Sequence, residues 1–289
     1  MSILVRNKQP KTPPKLEVEG KPVLTGICPE CVARYVLLAV RDPLGFKRDA
    51  AEEIASYFDS AKKVADTGMF ITYSGEYRGV PVTVCSTGSG APDTEIAFMD
   101  FIQYSAADTF IRVGTSGSYH PAVRVGDVVI SSGAVRDDGT SREYVKTSYP
   151  AVASHEVVLA LSDAAEEVGA SYHIGITRSN DSIYCGQGRP VKDYMQDEHL
   201  AIPDYWRRAG VMNVERETSI ILTLSNLFHV RGGSVCAVVN STPHGYLDVS
   251  AGVQDAIRTA LEGIRRLNHW DAQVKKSGKK WWTPSLLQG

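Results

Sequence analysis

Residues 82–105 read "VTVCSTGSGAPDTEIAFMDFIQYS". A short run of β-branched and small apolar residues stops at a turn containing Gly88 and Gly90, and a segment with apolar residues at helical spacing follows. Strand, glycine turn and helix in immediate succession are the unit from which α/β domains are assembled. The same alternation extends in both directions. Upstream, "YVLLAV" (35–40) is a strand, and the stretch from 41 to 65 keeps Ala50, Ile54, Tyr57, Phe58, Ala61 and Val64 on one face of a long expected helix. "MFITYSGEYRGVPVTVCSTGSG" (69–90) reads as a hairpin ending in the glycine turn.

Downstream come the strands "TFIRVGTSGSY" (109–119) and "GDVVISSGAV" (126–135), then a helix over "SHEVVLALSDAAEEVG" (154–169) and the strand "YHIGITRS" (172–179). A helix from about Glu215 to His229, the strand "GSVCAVVNST" (233–242) and a helix over "DAIRTALEGIRRLNHW" (255–270) complete the pattern. This predicts one α/β domain with a twisted, mixed but largely parallel sheet covered by helices on both faces. Its expected limits are residues 35–270, between an N-terminal extension (1–34) and a basic C-terminal tail (271–289).

Composition excludes several classes. A net charge of −2 gives no reason to invoke nucleic acid, and no apolar run reaches the roughly 20 residues that span a bilayer. The N-terminus breaks into Lys, Pro and polar residues after three apolar positions, so no signal-peptide core is read there and a cytoplasmic protein is expected. Five cysteines, an odd and scattered set, fit that compartment. "CPEC" (28–31) is the one close pair and lacks a second pair or histidines at ligand spacing, so no metal site is expected. Cys85 and Cys236 sit in apolar runs and read as small buried hydrophobes.

In α/β sheets ligands gather beyond the carboxyl ends of strands, and four such loops carry distinct polar cargo. "STGSGAPDTE" (86–95) places free backbone N–H groups at a helix start, where an anion can sit. "RVGTSGS" (112–118) combines an arginine, a hydroxyl and two glycines, while "NVERETS" (213–219) brings acidic residues to a helix start. "YCGQGRP" (184–190) sets Gln187, which donates and accepts in one plane, two positions from the fixed charge of Arg189. That pair suits the edge of a planar heterocycle, although each loop alone is also an ordinary α/β turn.

Taken in order, these stretches resemble the nucleoside phosphorylase family, and within it the uridine phosphorylase branch, over about residues 35–267. "RVGTSGS" resembles the family's phosphate-binding turn, "GSGAPDTEIA" its glycine-rich helix entry and "NVERETS" its ribose-meeting segment. "GQGR" is similar to the Gly-Gln-x-Arg of uracil-specific members. The resemblance implies phosphorolysis of a pyrimidine nucleoside to base and ribose 1-phosphate by a homodimer or larger homo-oligomer, with phosphate as co-substrate and no cofactor. It implies catalytic roles for Gln187, Arg189 and Glu217, a base site of Gln187, Arg189, Thr115 and Gly117, and ribose contacts from Glu215, Arg216 and Glu217. Phosphate would meet Arg112, Thr115 and Arg41.

The chemistry agrees. Uracil offers an N3–H between two carbonyls, so Gln187 can accept from N3 and donate to one carbonyl while Arg189 holds O4. A guanidinium there stabilises the charge that develops on the departing base. Glu217 can accept from ribose hydroxyls beneath the oxocarbenium ion, or simply stabilise a helix N-terminus.

Phosphate is where the chain departs from the pattern. In "AVRDPLGFKR" Arg41 stands where the family has glycine and Gly45 where it has arginine. Met69 stands at a second arginine position, and the N-terminal histidine that reaches a neighbour's ribose is missing near Val23. Arg41, Lys47 and Arg48 are the candidate replacements. Arg216 replaces a methionine, and Ser241 an arginine near the base. Asn240, Ser241 and Thr242 leave no aspartate where purine enzymes place their acid, which disfavours a purine. His120 and His244 read as polar surface rather than as general bases. Two alternatives stay open at this level, a nucleosidase using water and a nucleoside-binding protein without turnover.

Overall fold

The computed structural model describes residues 13–41 and 45–287. A two-residue hairpin, β1 (Glu17–Val18) and β2 (Lys21–Pro22), precedes the main sheet. Then follow β3 (Tyr35–Val40), α1 (Ala50–Ala55), β4 (Ser60–Asp66), β5 (Ile71–Tyr77), β6 (Val80–Thr87) and α2 (Ala91–Tyr104). The middle of the chain contributes β7 (Thr109–Ser118), β8 (Val128–Asp137), α3 (Thr140–Tyr144), β9 (Ala151–Val152), α4 (His155–Val168) and β10 (Tyr172–Asn180). The last third holds α5 (Asp197–Arg208), β11 (Val211–Glu215), α6 (Thr218–Leu227), β12 (Arg231–Ser241), β13 (Tyr246–Leu247) and α7 (Val253–Ser277).

Eleven strands form one mixed sheet in the order β13-β12-β8-β10-β11-β7-β3-β6-β5-β4, with β9 on β8. Because β12 also pairs with β7, the strands β7, β12, β8, β10 and β11 close on themselves. The sheet therefore rolls up around β7 rather than lying open, and β3, β6, β5 and β4 extend it as a flap. The pairs β3–β6, β3–β7, β7–β12, β8–β10 and β10–β11 are parallel, whereas β4–β5, β5–β6 and β8–β12 are antiparallel.

Alternation along β3 shows how both faces are covered. Tyr35, Leu37 and Ala39 join a core with residues of α1, α4 and α7, while Val36 and Leu38 join a second core with residues of α2 and α6. Phe98 of α2 meets Phe110 of β7 at 4.3 Å between ring centroids. The apolar stripe of α7 runs past 270, and beyond its end Trp282 stacks on Trp270 at 4.0 Å. Part of the expected C-terminal tail is thus packed against the domain.

Three elements differ from expectation. The helix expected through residue 65 stops at Ala55, and Ser60–Asp66 form an edge strand paired with β5. Ala61 and Val64 continue the helical period by coincidence, and strand pairing overrides it. The helix expected from Glu215 begins at Thr218, because residues 211–215 are a strand between β10 and β7. The helix α5 has no counterpart in the sequence pattern, since it has no buried residue and carries a proline at 203.

Candidate active site

The carboxyl ends of β6, β7, β10, β11 and β12 converge on a cavity of about 90 Å³, lined among others by Arg112, Thr115, Gly117, Gln187, Arg189, Glu215, Arg216 and Glu217. Every residue singled out from the sequence for base, ribose or phosphate lies there except Arg41 and the alternative phosphate candidates Lys47 and Arg48. A recess of about 360 Å³ adjoins it and shares Gln187, Arg189 and Asn240.

One wall is a buried ion cluster. Arg112, on β7, folds back over Gly114, where a Cβ would lie 1.9 Å from its Nη1, so only glycine admits this conformation. Its Nη2 donates to Glu217 Oε2 at 2.7 Å, its Nη1 to the Val113 carbonyl at 2.6 Å, and its Nε lies 3.6 Å from Glu215 Oε2. Burial alone would depress the guanidinium, yet Glu217 and Glu215 outweigh it and hold the group above its usual value.

The two glutamates divide the roles that sequence reasoning combined. Glu215, at the end of β11, accepts from the backbone N–H groups of Glu217 and Thr218 and from Ser179 Oγ, so it is the carboxylate that stabilises the start of α6. Burial and the Glu217 charge push Glu215 up to about 7, against the pull of Arg112, Ser179 and the Glu217 amide. Glu217 instead turns into the cavity and joins two loops, accepting from the Gly90 amide at 2.7 Å as well as from Arg112. The glycine turn before α2 thus already spends one amide on a carboxylate of the chain.

Across the cavity the 3₁₀ turn Cys185–Gln187 and the residues just after it hold Gln187 and Arg189. Arg189 Nη1 donates to Gln187 Oε1 at 2.6 Å, Arg189 Nη2 lies 3.3 Å from Asn240 Oδ1, and Gln187 Nε2 lies 3.3 Å from Asn180 Oδ1. The Gln187 amide is therefore oriented from both ends, with its oxygen toward Arg189. Gly117 lies beneath the Asn240 side chain. Asn240 entered the sequence reading only as the place where a purine enzyme's acid is absent, and its link to Arg189 arises from the chain crossing between β10 and β12.

The candidate phosphate cations separate clearly. Arg41 donates to the Gly68 carbonyl and stands 3.4 Å from Asp49, away from the cavity lining. Lys47 and Arg48 lie on another surface, Arg48 pairing with Glu52. Gly45 has φ +84°, and a Cβ there would lie 2.7 Å from Thr115 Cγ2 and 2.8 Å from Val253 Cγ2. The position where the family pattern has arginine thus has no room for a side chain, and residues 42–44 lie outside the described residues. Arg216, read as a ribose contact, donates to Ser89 Oγ at 2.7 Å beside the glycine turn of α2. No carboxylate among the described residues comes within 4 Å of its guanidinium or of that of Arg189. Met69 and Val23 are exposed, and the Ser241 hydroxyl turns to the Val123 carbonyl at 3.4 Å. His120 and His244 do not line the cavity; His244 Nε2 sits 3.1 Å from the Pro121 carbonyl. All five cysteines are free, and no group of metal-ligating side chains occurs among the described residues.

Residues 38–267 match the model of the phosphorylase superfamily. The chain is similar to a uridine phosphorylase of Thermococcus kodakarensis, 42% identical over 259 residues that cover 89% of this chain and 91% of the relative. It is 36% identical over 230 residues to the uridine phosphorylase of Escherichia coli, covering 76% and 88%. A guanosine phosphorylase of Halorubrum lacusprofundi is 30% identical over 187 residues, covering 65% and 72%.

Proposed function

The chain belongs to the phosphorylase superfamily, and from that footing we propose that it is a pentosyltransferase catalysing phosphorolysis of uridine to uracil and ribose 1-phosphate. One observation carries the reading within the site. A glutamine amide held in register by a guanidinium stands across one cavity from a buried carboxylate on a cationic turn, which supplies groups for base, sugar and anion together.

The C1′–N1 bond breaks with its electron pair leaving on the base, where charge spreads to the two carbonyl oxygens. Arg189, with no carboxylate partner among the described residues, stabilises that charge, and Gln187 fixes the uracil edge. Glu217 accepts from ribose hydroxyls and places negative charge near the oxocarbenium carbon. A phosphate oxygen then bonds to C1′, and the released uracil takes a proton at N1.

Arg112 and Thr115 face the phosphate in this reading. Arg112 is already paired with Glu217, so the cluster by itself is a poor attractor for a dianion. Arg216, beside Ser89 and with no carboxylate partner among the described residues, supplies the positive charge that Gly45 and Met69 no longer provide. Uracil release from uridine, followed by absorbance, is expected to require phosphate, and Arg216→Met to raise the phosphate concentration needed by about tenfold or more. Release at an equal rate with and without phosphate contradicts phosphorolysis. The retained Arg112–Thr115 turn favours phosphate over water as acceptor.

We read the enzyme as at least a dimer. The exposed apolar residues Val152, Ile174 and Ile176 lie together where β9, β8 and β10 pair, a strip that a second copy would cover. A monomeric mass by light scattering at micromolar concentration contradicts this. The free cysteines support a cytoplasmic setting. No helix among the described residues is long and apolar enough to cross a membrane.

A further inference from the structure

The turn that carries Gln187 and Arg189 leaves a definite set of carbonyls to be satisfied. The Tyr184 carbonyl accepts from the Gln187 and Arg189 amides at 2.9 and 3.0 Å, and the Cys185 carbonyl accepts from the Gly188 amide at 3.0 Å. The Ile183 carbonyl lies 3.2 Å from Arg189 Nη1. Gly186 and Gln187 are left, and each carbonyl is taken by a buried side chain from outside the turn. Arg178 Nη1 donates to Gly186 O at 2.6 Å, and the Tyr119 hydroxyl donates to Gln187 O at 3.0 Å.

Both donors are themselves fixed. Arg178, on β10 and 5% exposed, donates through Nε to Asp137 Oδ2 at 2.8 Å and lies 5.0 Å from the Trp206 ring of α5. Its charge is thereby balanced by Asp137 and does not compete with Arg189 for the base. Tyr119 is 4% exposed, and burial raises its phenol above the usual value, so it stays a proton donor at neutral pH. Neither side chain hydrogen-bonds to the Gln187 amide or the Arg189 guanidinium, yet they hold consecutive carbonyls of the short turn from which those groups project.

We propose that Arg178 and Tyr119 are positioning residues for uracil recognition, setting the register of Gln187 and Arg189 through the Gly186 and Gln187 carbonyls. The proposal rests on the pyrimidine reading of the site. A displaced turn misplaces the reading pair but leaves the Arg112–Thr115 side untouched, so the defect falls on the base and not on the anion.

Steady-state kinetics with uridine and phosphate varied separately, and calorimetric binding of uracil, test this. Arg178→Met is expected to raise KM for uridine and weaken uracil binding by about tenfold or more with KM for phosphate unchanged, and Tyr119→Phe to do so by about threefold to tenfold. Arg178→Lys keeps one donor toward Gly186 and is expected to recover part of the loss. Should Arg178→Met not fold, Tyr119→Phe removes a single hydroxyl and carries the test. Wild-type turnover of uridine with unchanged uridine KM in the folded variants, or with uridine and phosphate KM rising together, overturns the inference alone. Wild-type protein that neither turns over uridine nor binds uracil overturns the functional reading and the inference with it.

Discussion

Arg189→Ala is expected to lower kcat/KM for uridine by about 10²- to 10³-fold, the usual cost of removing a preorganised donor from charge that develops in the transition state. The guanidinium is oriented before substrate arrives by Gln187 Oε1, Ile183 O and Asn240 Oδ1, and no carboxylate among the described residues neutralises it. On the proposed reading its free charge faces the base. Arg189→Lys is expected to recover little, because an ammonium offers no planar fork to span Gln187 and the base together. Gln187→Ala, which removes recognition rather than charge, is expected to cost at least about tenfold. Activity within threefold of wild type in Arg189→Ala, measured from initial rates of uracil release, contradicts the assignment.

Glu217→Gln is the second large effect, and it separates chemistry from stability. The amide oxygen of the variant would still accept from Gly90, but the charge facing ribose is gone, and kcat/KM is expected to fall by about 10²-fold or more. The buried Arg112 is left with Glu215 alone, at 3.6 Å. Removing one partner of a buried ion pair costs about 3–5 kcal/mol when nothing replaces it, and Glu215 reduces that cost by becoming fully ionised. The pH dependence shows this. Because Glu215 titrates higher in the fold than in the unfolded chain, its protonated form favours the fold. Wild-type stability contributed by this group is present below about pH 4.5 and is lost as pH rises toward about 7. In Glu217→Gln the neighbouring charge that raises Glu215 is absent, so this loss is expected to end at lower pH. Urea midpoints between pH 5 and 8 with the same slope in both proteins contradict the coupling.

The four loops that line the candidate site were legible because three of them combine a glycine turn with a residue type that chemistry restricts, and the fourth, residues 213–219, brings two glutamates to a helix start. The alternation of strand and helix likewise located β3, β6, β7, β8, β10, β12 and both major core layers. What escaped depended on contacts between distant segments. Ser60–Asp66 becomes a strand by pairing with β5 at the sheet edge, where one-sided exposure leaves little alternation to read. Residues 211–215 are short and run directly into a helix start, so the boundary was displaced and the capping role fell on Glu217 instead of Glu215. Asp197–Arg208 lies on the surface against the turn that holds Gln187 and Arg189, and its half-buried face, with Ile202 and Trp206, is interrupted by Pro203 and contains no fully buried residue. Arg41 looked like a phosphate ligand by its place in the chain, but its side chain turns to Gly68 and Asp49. Asn240, Arg178 and Tyr119 gave no signal in isolation, since their roles are set by side chains and carbonyls that the rolled sheet brings to them.

The identity of the sugar product decides the central claim most directly. Uridine incubated with the purified full chain and saturating phosphate, and followed by phosphorus NMR, is expected to yield ribose 1-phosphate in step with uracil, because on the proposed reading Arg112, Thr115 and Arg216 present an anion to C1′. Free ribose as the sole sugar product under those conditions contradicts phosphorolysis.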